Sequence, residues 1–295
     1  MSKYNEQRQT NIKKLFRNKS TRQITDPIKH RLNALLSIVL RFSSLRRKLI
    51  FYVKARHFCE LGYSIPIGND YWANLSESDS YDSFSEVFVQ QEYSEFLPTE
   101  PIGKMLDLGA HYGYFSLWVQ SKWPDHEIQT LMVEPSSNCI NSLQYLSSQK
   151  RLNGSFNYIK GVIGNSNGKT IEFYERPFMA GSCFLSNEQI PSTNVEIVTE
   201  QRLIDLMPPP YDLIKCDIEG SEWDFLINYP IVLQNTKHLI LEWHSWHTGG
   251  TDLKGITEKL IDIGFIITKQ SKPTPALGNE GKVGLLTAIN RNFSS

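Results

Sequence analysis

Apolar residues along the chain collect into short runs separated by stretches of helical period, and that alternation predicts most of the secondary structure. Runs over Met105 to Leu108, Ile128 to Val133, Phe156 to Ile163, Tyr211 to Cys216, His238 to Glu242, Phe265 to Thr268 and Val283 to Ile289 read as seven strands. Between them the spacing predicts helices over about Tyr114 to Ser121, over a segment with Ile140, Leu143 and Leu146 on one face, and over Leu253 to Ile263. Ser136 or Ser137 caps the second of these, and Ser221 with Asp224 three residues on fits a capping box for a further helix. A short helix through Leu203 and Leu206 ends at Pro208-Pro209-Pro210. Strands alternating with helices predict an open α/β sheet. Asn167-Gly168 is a tight-turn signal before Thr170 to Tyr174, so a hairpin with the third strand is expected, and Val195 to Val198 alternates again. Pro177 to Pro191 has no periodicity and reads as a mobile loop over a substrate.

The N-terminal part is different in character. Formal charge over the 295 residues is zero, yet residues 1–56 hold fifteen Lys or Arg against Glu6 and Asp26, leaving sixteen bases and twenty-nine acids for the remainder. Residues 1–26 read as a disordered basic arm. From Pro27 to Gly62, Leu32, Leu35, Leu36, Val39, Leu40, Phe42, Leu45, Leu49, Ile50 and Val53 recur at mostly helical spacing with Arg41, Arg46, Arg47, Lys48, Lys54 and Arg56 among them. Such a basic amphipathic helix suits a membrane surface through residues 27–57, or docks on the acidic remainder, or pairs with its copy in a homodimer. Tyr63 to Pro98 mixes aromatic and acidic residues and reads as a short helical cap, its aromatics either one wall of a substrate site or plain core; Pro98 and Pro101 mark the entrance to the main domain. The expected division is therefore 1–26, 27–98 and 99–295. The longest apolar run, Ala34 to Leu40, is far short of the ~20 residues that span a bilayer, and no signal peptide is expected. Four scattered cysteines without C-x-x-C spacing point to a reducing compartment, so the expected location is the cytoplasm, with the inner membrane face as a peripheral site.

The chemistry concentrates at strand ends. After the first strand, Gly109 and Gly113 allow a tight turn and close approach to a ligand. A dinucleotide loop would need a glycine where His111 stands, so a pyrophosphate is poorly served. Asp107 favours a cationic ligand such as the methionine part of S-adenosylmethionine and would repel phosphate. The second strand ends at Glu134, 27 positions after Asp107 and 21 after Gly113, where a doubly wound sheet brings it beside the first strand to accept ribose hydroxyls. The fourth strand ends in Lys215-Cys216-Asp217-Ile218-Glu219-Gly220-Ser221-Glu222, and the fifth is followed by Trp243, His244, Trp246 and His247.

These pieces together resemble the FkbM family of S-adenosylmethionine-dependent methyltransferases. The matches are D-L-G-A-H-Y-G-Y-F at 107–115, E-P-S at 134–136, D-L-I-K-C-D-I-E-G-S-E at 212–222 and L-I-L-E-W-H at 239–244, within residues 90–290; His111 stands where the family commonly has Asn. The resemblance implies a seven-stranded, doubly wound, Rossmann-like class I methyltransferase sheet, here with a helical N-terminal extension. It also implies S-adenosyl-L-methionine as cofactor and O-methylation of a hydroxyl of a sugar, glycolipid or related metabolite.

For that reaction Asp107, Gly109, His111, Gly113 and Glu134 are the expected cofactor residues. Methyl transfer from a sulfonium is an in-line displacement, so positioning dominates, and a sugar hydroxyl must also lose a proton. Asp217, then Glu219 and His244, are the candidates for the base. Lys215 pairs with one of these carboxylates and keeps it ionised. Each has a plainer reading: Asp217 as an anchor of the strand-to-helix turn, Lys215 as a satisfied charge, His244 as a structural donor. Trp243 and Trp246 either stack on a sugar or pack on their own protein. Asp217, Glu219, Glu242 and His244 are also ligand types for a divalent metal, but spacing does not establish one and none is assigned. The expected partner is a small-molecule or glycan acceptor; nucleic acid is not expected, because the basic residues sit in a helix with an apolar stripe. A different class stays open: a catalytically silent module of the same fold, at a membrane or in a dimer.

Overall fold

The computed structural model describes residues 63–67, 70–75, 78–152, 154–165, 169–174, 192–245, 252–275 and 281–293. The basic arm, the amphipathic stretch through Gly62, the whole of the loop expected over 177–191, Cys59, Cys183, Trp246 and His247 lie outside them. No helix among the described residues is long and apolar enough to cross a membrane.

Where a helical cap was expected, the described chain opens with two strands, β1 (Tyr63–Ile67) and β2 (Tyr71–Leu75), paired antiparallel with Ile65 opposite Ala73. The reason is a period of two: Tyr71, Ala73 and Leu75 are buried while Trp72 is exposed. The helical part follows as α1 (Ser78–Phe84), a π-turn (Ser85–Gln90) and a 3₁₀ turn (Glu92–Glu95), with Gln91 between the turns in the left-handed region.

Next come β3 (Lys104–Leu108), α2 (Tyr114–Lys122), β4 (Gln129–Glu134), α3 (Ser137–Ser148), β5 (Phe156–Lys160), β6 (Thr170–Tyr174) and β7 (Ser192–Glu196). The rest is α4 (Glu200–Leu206), β8 (Tyr211–Cys216), α5 (Glu222–Asn228), α6 (Pro230–Gln234), β9 (Thr236–His244), α7 (Leu253–Ile263), β10 (Phe265–Gln270), β11 (Thr274–Pro275) and β12 (Lys282–Asn290).

The main sheet runs β10-β12-β9-β8-β3-β4-β5, with β11 added to β12. The five strands from β9 to β5 are mutually parallel, and β12 is antiparallel to both neighbours. The chain thus winds outward from β3 through β4 to β5, then returns to β8 on the other side. That reversal leaves a crevice outside the carboxyl ends of β3 and β8, the place where open α/β sheets receive ligands. The expected mixed α/β sheet is present.

Parallel strands are covered on both faces and so are apolar along their length. Leu106, Leu108, Ile214, Cys216, Leu239 and Leu241 are fully buried or nearly so. Helix α2 is buried from Tyr114 through Gln120 because the N-terminal segment covers the side turned away from the sheet. Tyr114 Oη donates to the Asn74 carbonyl at 2.6 Å, and Phe84 meets the Tyr114 ring edge-on at 5.6 Å. Phe115, Leu117, Trp118 and Val119 each contribute about 1.5–3 kcal/mol by leaving water.

Three local expectations are corrected. Thr170–Tyr174 pairs with Ser192–Glu196 and not with the third strand. Phe173 and Val195 close a small core of their own with Val162 and Ile197. Ser221 occupies the N-cap of α5, but its side chain makes no cap bond; Glu222 Oε1 instead accepts from the Gly220 N–H at 2.9 Å. In α3 the buried stripe is Cys139, Ser142, Leu143 and Leu146, with Ile140 only partly covered, while Ser136 caps as expected.

One carboxylate fixes the register of β3 on β8: Asp212 Oδ2 accepts from the N–H groups of both Gly103 and Lys104 at 2.8 Å. Asp212→Ala removes the acceptor for two strand-end donors and should cost about 2 kcal/mol in urea denaturation, with an unchanged m-value.

Candidate active site

Backbone geometry at the end of β3 is set by glycine. Gly109 has φ +73°, and a Cβ there would lie 1.7 Å from the Asp217 carbonyl oxygen, so the β3 turn and the β8 turn touch at a point no side chain fits. Gly113 has φ +76° and its missing Cβ faces Leu146 and Leu143 of α3, which lets α2 start close against that helix. His111 between them also has positive φ, +50°. Among the described non-glycine residues only Gln91, His111 and Glu219 do, the last two in the turns after β3 and β8.

Glu134, 5 % exposed, ends β4 beside this turn. Its Oε2 accepts from the His111 N–H at 2.7 Å and its Oε1 from the Ser136 N–H at 2.8 Å. A carboxylate oxygen has two acceptor directions, so one on each atom is left for a ligand. Burial pushes the Glu134 carboxyl up to about 7 against the two backbone donors. Burial also brings the His111 ring down to about 4, so it is neutral, and it stands edge-on to Tyr112.

Asp107 is fully buried. Its Oδ2 accepts from Ser116 Oγ at 2.6 Å, which ties β3 to α2. Its Oδ1 has no hydrogen-bond partner and lies 3.6 Å from Lys215 Nζ. Burial raises this carboxyl, with Lys215 and Ser116 opposing.

Lys215 joins the two halves. It is 4 % exposed, donates to the Gly109 carbonyl at 2.7 Å and lies 3.3 Å from Asp217 Oδ2. Burial works against its charge, but Asp217 and Asp107 outweigh burial and hold the ammonium above the ordinary lysine range. Asp217 in turn is lowered: burial would raise it, and Lys215 and His244 prevail.

On the far side of Asp217 the carboxylates crowd. His244 is the last residue of β9 rather than beyond it, and 2 % exposed. Its Nδ1 is 2.9 Å from Oε1 of the buried Glu222. Its Nε2 faces Asp217 Oδ1, Glu219 Oε2 and Glu242 Oε1, each 3.9 Å away. Burial would lower His244, but Glu222, Glu219 and Glu242 push it up to about 10. Burial raises Glu219 to about 7 and Glu242 well above the carboxylate range. The side chains of Asp217, Glu219 and Glu242 keep 24, 27 and 18 % of their surface exposed, although Glu219 Oε2 itself is buried.

The segment over 63–98 completes this wall, one of its two readings from the sequence, which did not single out Tyr93 or Glu86. Tyr93 Oη donates toward Glu242 Oε2 at 3.2 Å and Asp217 Oδ2 at 3.5 Å, and its ring meets Phe115 edge-on. Burial raises Glu86 of the π-turn to about 8, and Glu92, Asp217, Asp82 and Glu219 add to the rise. The alternation of aromatic and acidic residues over 63–98 is visible in the sequence; which of them reach the crevice depends on the π-turn and on Gln91, which leave no pattern.

All nine predicted site residues therefore lie along the carboxyl ends of β3, β4, β8 and β9. Asp107, Gly109, His111, Gly113 and Glu134 make one group, Asp217, Glu219 and His244 the other, with Lys215 between.

No family model matches the chain, and no curated protein matches it. Among solved structures, the methyltransferase FkbM from Methylobacillus flagellatus matches with a TM-score of 0.45 and 16 % identity over 82 % of this chain, which spans 59 % of that protein's length. The magnesium protoporphyrin IX methyltransferase from Synechocystis, solved with bound S-adenosylmethionine, matches at 0.43 and 11 % over 92 % of this chain and all of its own. A putative RNA methyltransferase from Pyrococcus horikoshii matches at 0.41 and 11 %, covering 85 % of this chain and 98 % of its own. Likenesses this distant carry no weight for the chemistry, which rests on the geometry above.

Replacing Lys215 by Met leaves Asp107 buried without its cation and Asp217 without its closest one. Lys215→Met should lose about 3 kcal/mol of stability by chemical denaturation, and adding Asp107→Asn should recover part of it.

Proposed function

We propose that the protein transfers a methyl group from S-adenosylmethionine to a hydroxyl of a small-molecule or glycan acceptor. The observation that carries this reading is Glu134: a buried carboxylate beside a glycine turn, each oxygen already holding one backbone N–H and keeping one direction for a ribose hydroxyl. The turn has His111 in place of a phosphate-binding glycine, which supports a cofactor without phosphates. Asp107 Oδ1, buried and 3.6 Å from the Lys215 ammonium, supports the site through Lys215 and the β3 turn. The resemblance of the 107–115, 134–136, 212–222 and 239–244 segments to the FkbM family points the same way.

With the ribose on Glu134, the sulfonium extends toward the carboxyl end of β8. An acceptor oxygen attacks the methyl carbon in line, the C–O bond forms as the C–S bond breaks, and sulfur keeps the electron pair. The hydroxyl proton passes to a carboxylate. Asp217 suits that part because Lys215 keeps it ionised, whereas His244 already holds a proton over the neutral range. Polyanionic acceptors are disfavoured by the carboxyl-rich wall, which supports a neutral or cationic acceptor over nucleic acid.

Ribose hydroxyls donate to the ionised form of Glu134, so cofactor affinity is full above its value of about 7 and falls as pH drops through it. Calorimetric titration with S-adenosylhomocysteine should show affinity about tenfold lower at pH 6 than at pH 8. Glu134→Ala should lose on the order of a hundredfold and flatten that profile. An unchanged affinity in Glu134→Ala rejects the ribose assignment.

Asp217→Asn should slow methyl transfer to hydroxyl acceptors by on the order of a hundredfold or more while S-adenosylhomocysteine affinity stays within about threefold. Undiminished turnover removes Asp217 from the chemistry.

A further inference from the structure

Around His244 the described residues gather the carboxyl groups of Glu86, Glu92, Asp217, Glu219, Glu222 and Glu242 against two cationic side chains, Lys215 and His244. The centre is not a bare group of acids but a buried imidazole with a fixed orientation. Glu222, 1 % exposed, holds Nδ1 at 2.9 Å, and this turns Nε2 toward the crevice. A carboxylate on one ring nitrogen with the other facing oxygen ligands is the supporting arrangement of metal-binding histidines.

Convergence is the second feature. One ligand atom from each of Asp217, Glu242 and His244 lies within 4.8 Å of the others. A six-coordinate ion with bonds of ~2.1–2.3 Å has opposite ligands ~4.2–4.6 Å apart and adjacent ones ~3.0–3.3 Å apart, so sub-ångström rotations close the site. Glu242 and His244 lie on β9 and Asp217 directly follows the parallel β8, its N–H held by the Leu108 carbonyl at 3.0 Å, so the backbone frame is fixed. Tyr93 Oη, 3.2 Å from Glu242 Oε2 and 3.5 Å from Asp217 Oδ2, holds the outer oxygens of two of them. Two carboxylates and one imidazole leave the remaining octahedral positions to water and acceptor oxygens, which small hydrated ions such as Mn²⁺ and Mg²⁺ accept, whereas Ca²⁺ asks for more protein oxygens.

We propose that Asp217, Glu242 and His244 form a divalent-cation site of the Mn²⁺ or Mg²⁺ class that holds the acceptor through two neighbouring oxygen atoms. Read along the sequence, these residues were metal-ligand types with no metal assigned, because spacing does not measure convergence. The chemistry of the site rests on the methyl-transfer reading; its existence does not. With the ion in place Asp217 would serve as its ligand in place of the proton-accepting part given it above, the ion would polarise the acceptor hydroxyl, and Glu219 would take the proton as the C–O bond forms and the C–S bond breaks.

The test is titration of the full-length chain with MnCl₂, free Mn²⁺ being counted from its electron paramagnetic resonance signal. One ion per chain should bind and be displaced by Mg²⁺. Uptake should weaken at least tenfold in Asp217→Asn and Glu242→Gln, and about tenfold or more in Glu222→Gln, which frees the His244 ring. Absence of saturable uptake by the folded wild-type chain overturns the site, as does equal uptake by a folded Glu242→Gln chain. Where the variants do not fold, the wild-type chain decides: Mn²⁺ should broaden the His244 ring resonances before those of His126 and His238, and the reverse order overturns the site. A parallel titration with S-adenosylhomocysteine in EDTA separates the two readings. A chain that binds it but takes up no Mn²⁺ loses the ion and keeps the methyl donor; one that takes up Mn²⁺ alone keeps the ion site and loses the donor.

Discussion

A single buried ammonium holds the two loops of the crevice in contact. Lys215 reaches from β8 to the Gly109 carbonyl while standing between Asp107 and Asp217, and it is almost wholly removed from water. Burying a charge costs several kcal/mol unless partners and hydrogen bonds replace the lost hydration, so this lysine is tolerated only because the end of β3 and the end of β8 both supply oxygen. The converse constrains the loops: neither turn can drift without exposing a buried charge. Gly109, with its Cα against the Asp217 carbonyl, records how close the two turns come. Where β3 and β8 meet, the fold and the chemistry are one structure.

From that contact outward the crevice is divided by charge. Toward β4 it offers one carboxylate, Glu134, held by backbone donors, and a neutral His111. Toward β9 it offers a wall of carboxyl groups around His244. A sulfonium donor bound between these halves would sit where positive charge is welcome on both sides. The proposed ion, farther along the same wall, would neutralise part of it and take hold of the acceptor. The cap supplies the remainder: Tyr93 and Glu86 come from a segment whose aromatic residues also cover α2, so the piece that completes the hydrophobic core also completes the carboxyl-rich wall.

Much of this was legible in the sequence, and the rest was hidden for identifiable reasons. Strand periodicity showed the main sheet, and the separation of Asp107, Gly113 and Glu134 matched the register that a doubly wound sheet imposes, since β4 follows β3 through one helix. The Asp217 to Glu222 run stood out because ionisable residues rarely end a buried strand by chance. Hidden were the features that depend on contact across the sequence. Asp107 reads as a residue facing a ligand, yet one oxygen is held by Ser116 nine positions on, in the next helix. Thr170–Tyr174 reads as the return of a hairpin, yet its partner lies beyond a loop. Tyr93 is separated from Asp217 by 124 positions, and only the π-turn and left-handed Gln91 aim it there. Glu222 reads only as the end of the charged run after the fourth strand, whereas it orients the buried ring of His244.

The central claim is that Glu134 and Asp217 stand at the two ends of one cofactor site, with Lys215 as the hinge of its floor. A crystal structure of the full chain grown with S-adenosylhomocysteine addresses it most directly. The account predicts both ribose hydroxyls on Glu134 and the sulfur facing Asp217, with the Lys215 to Gly109 hydrogen bond intact. Cofactor bound elsewhere, or a ribose turned away from Glu134 with its sulfur remote from β8, would contradict it.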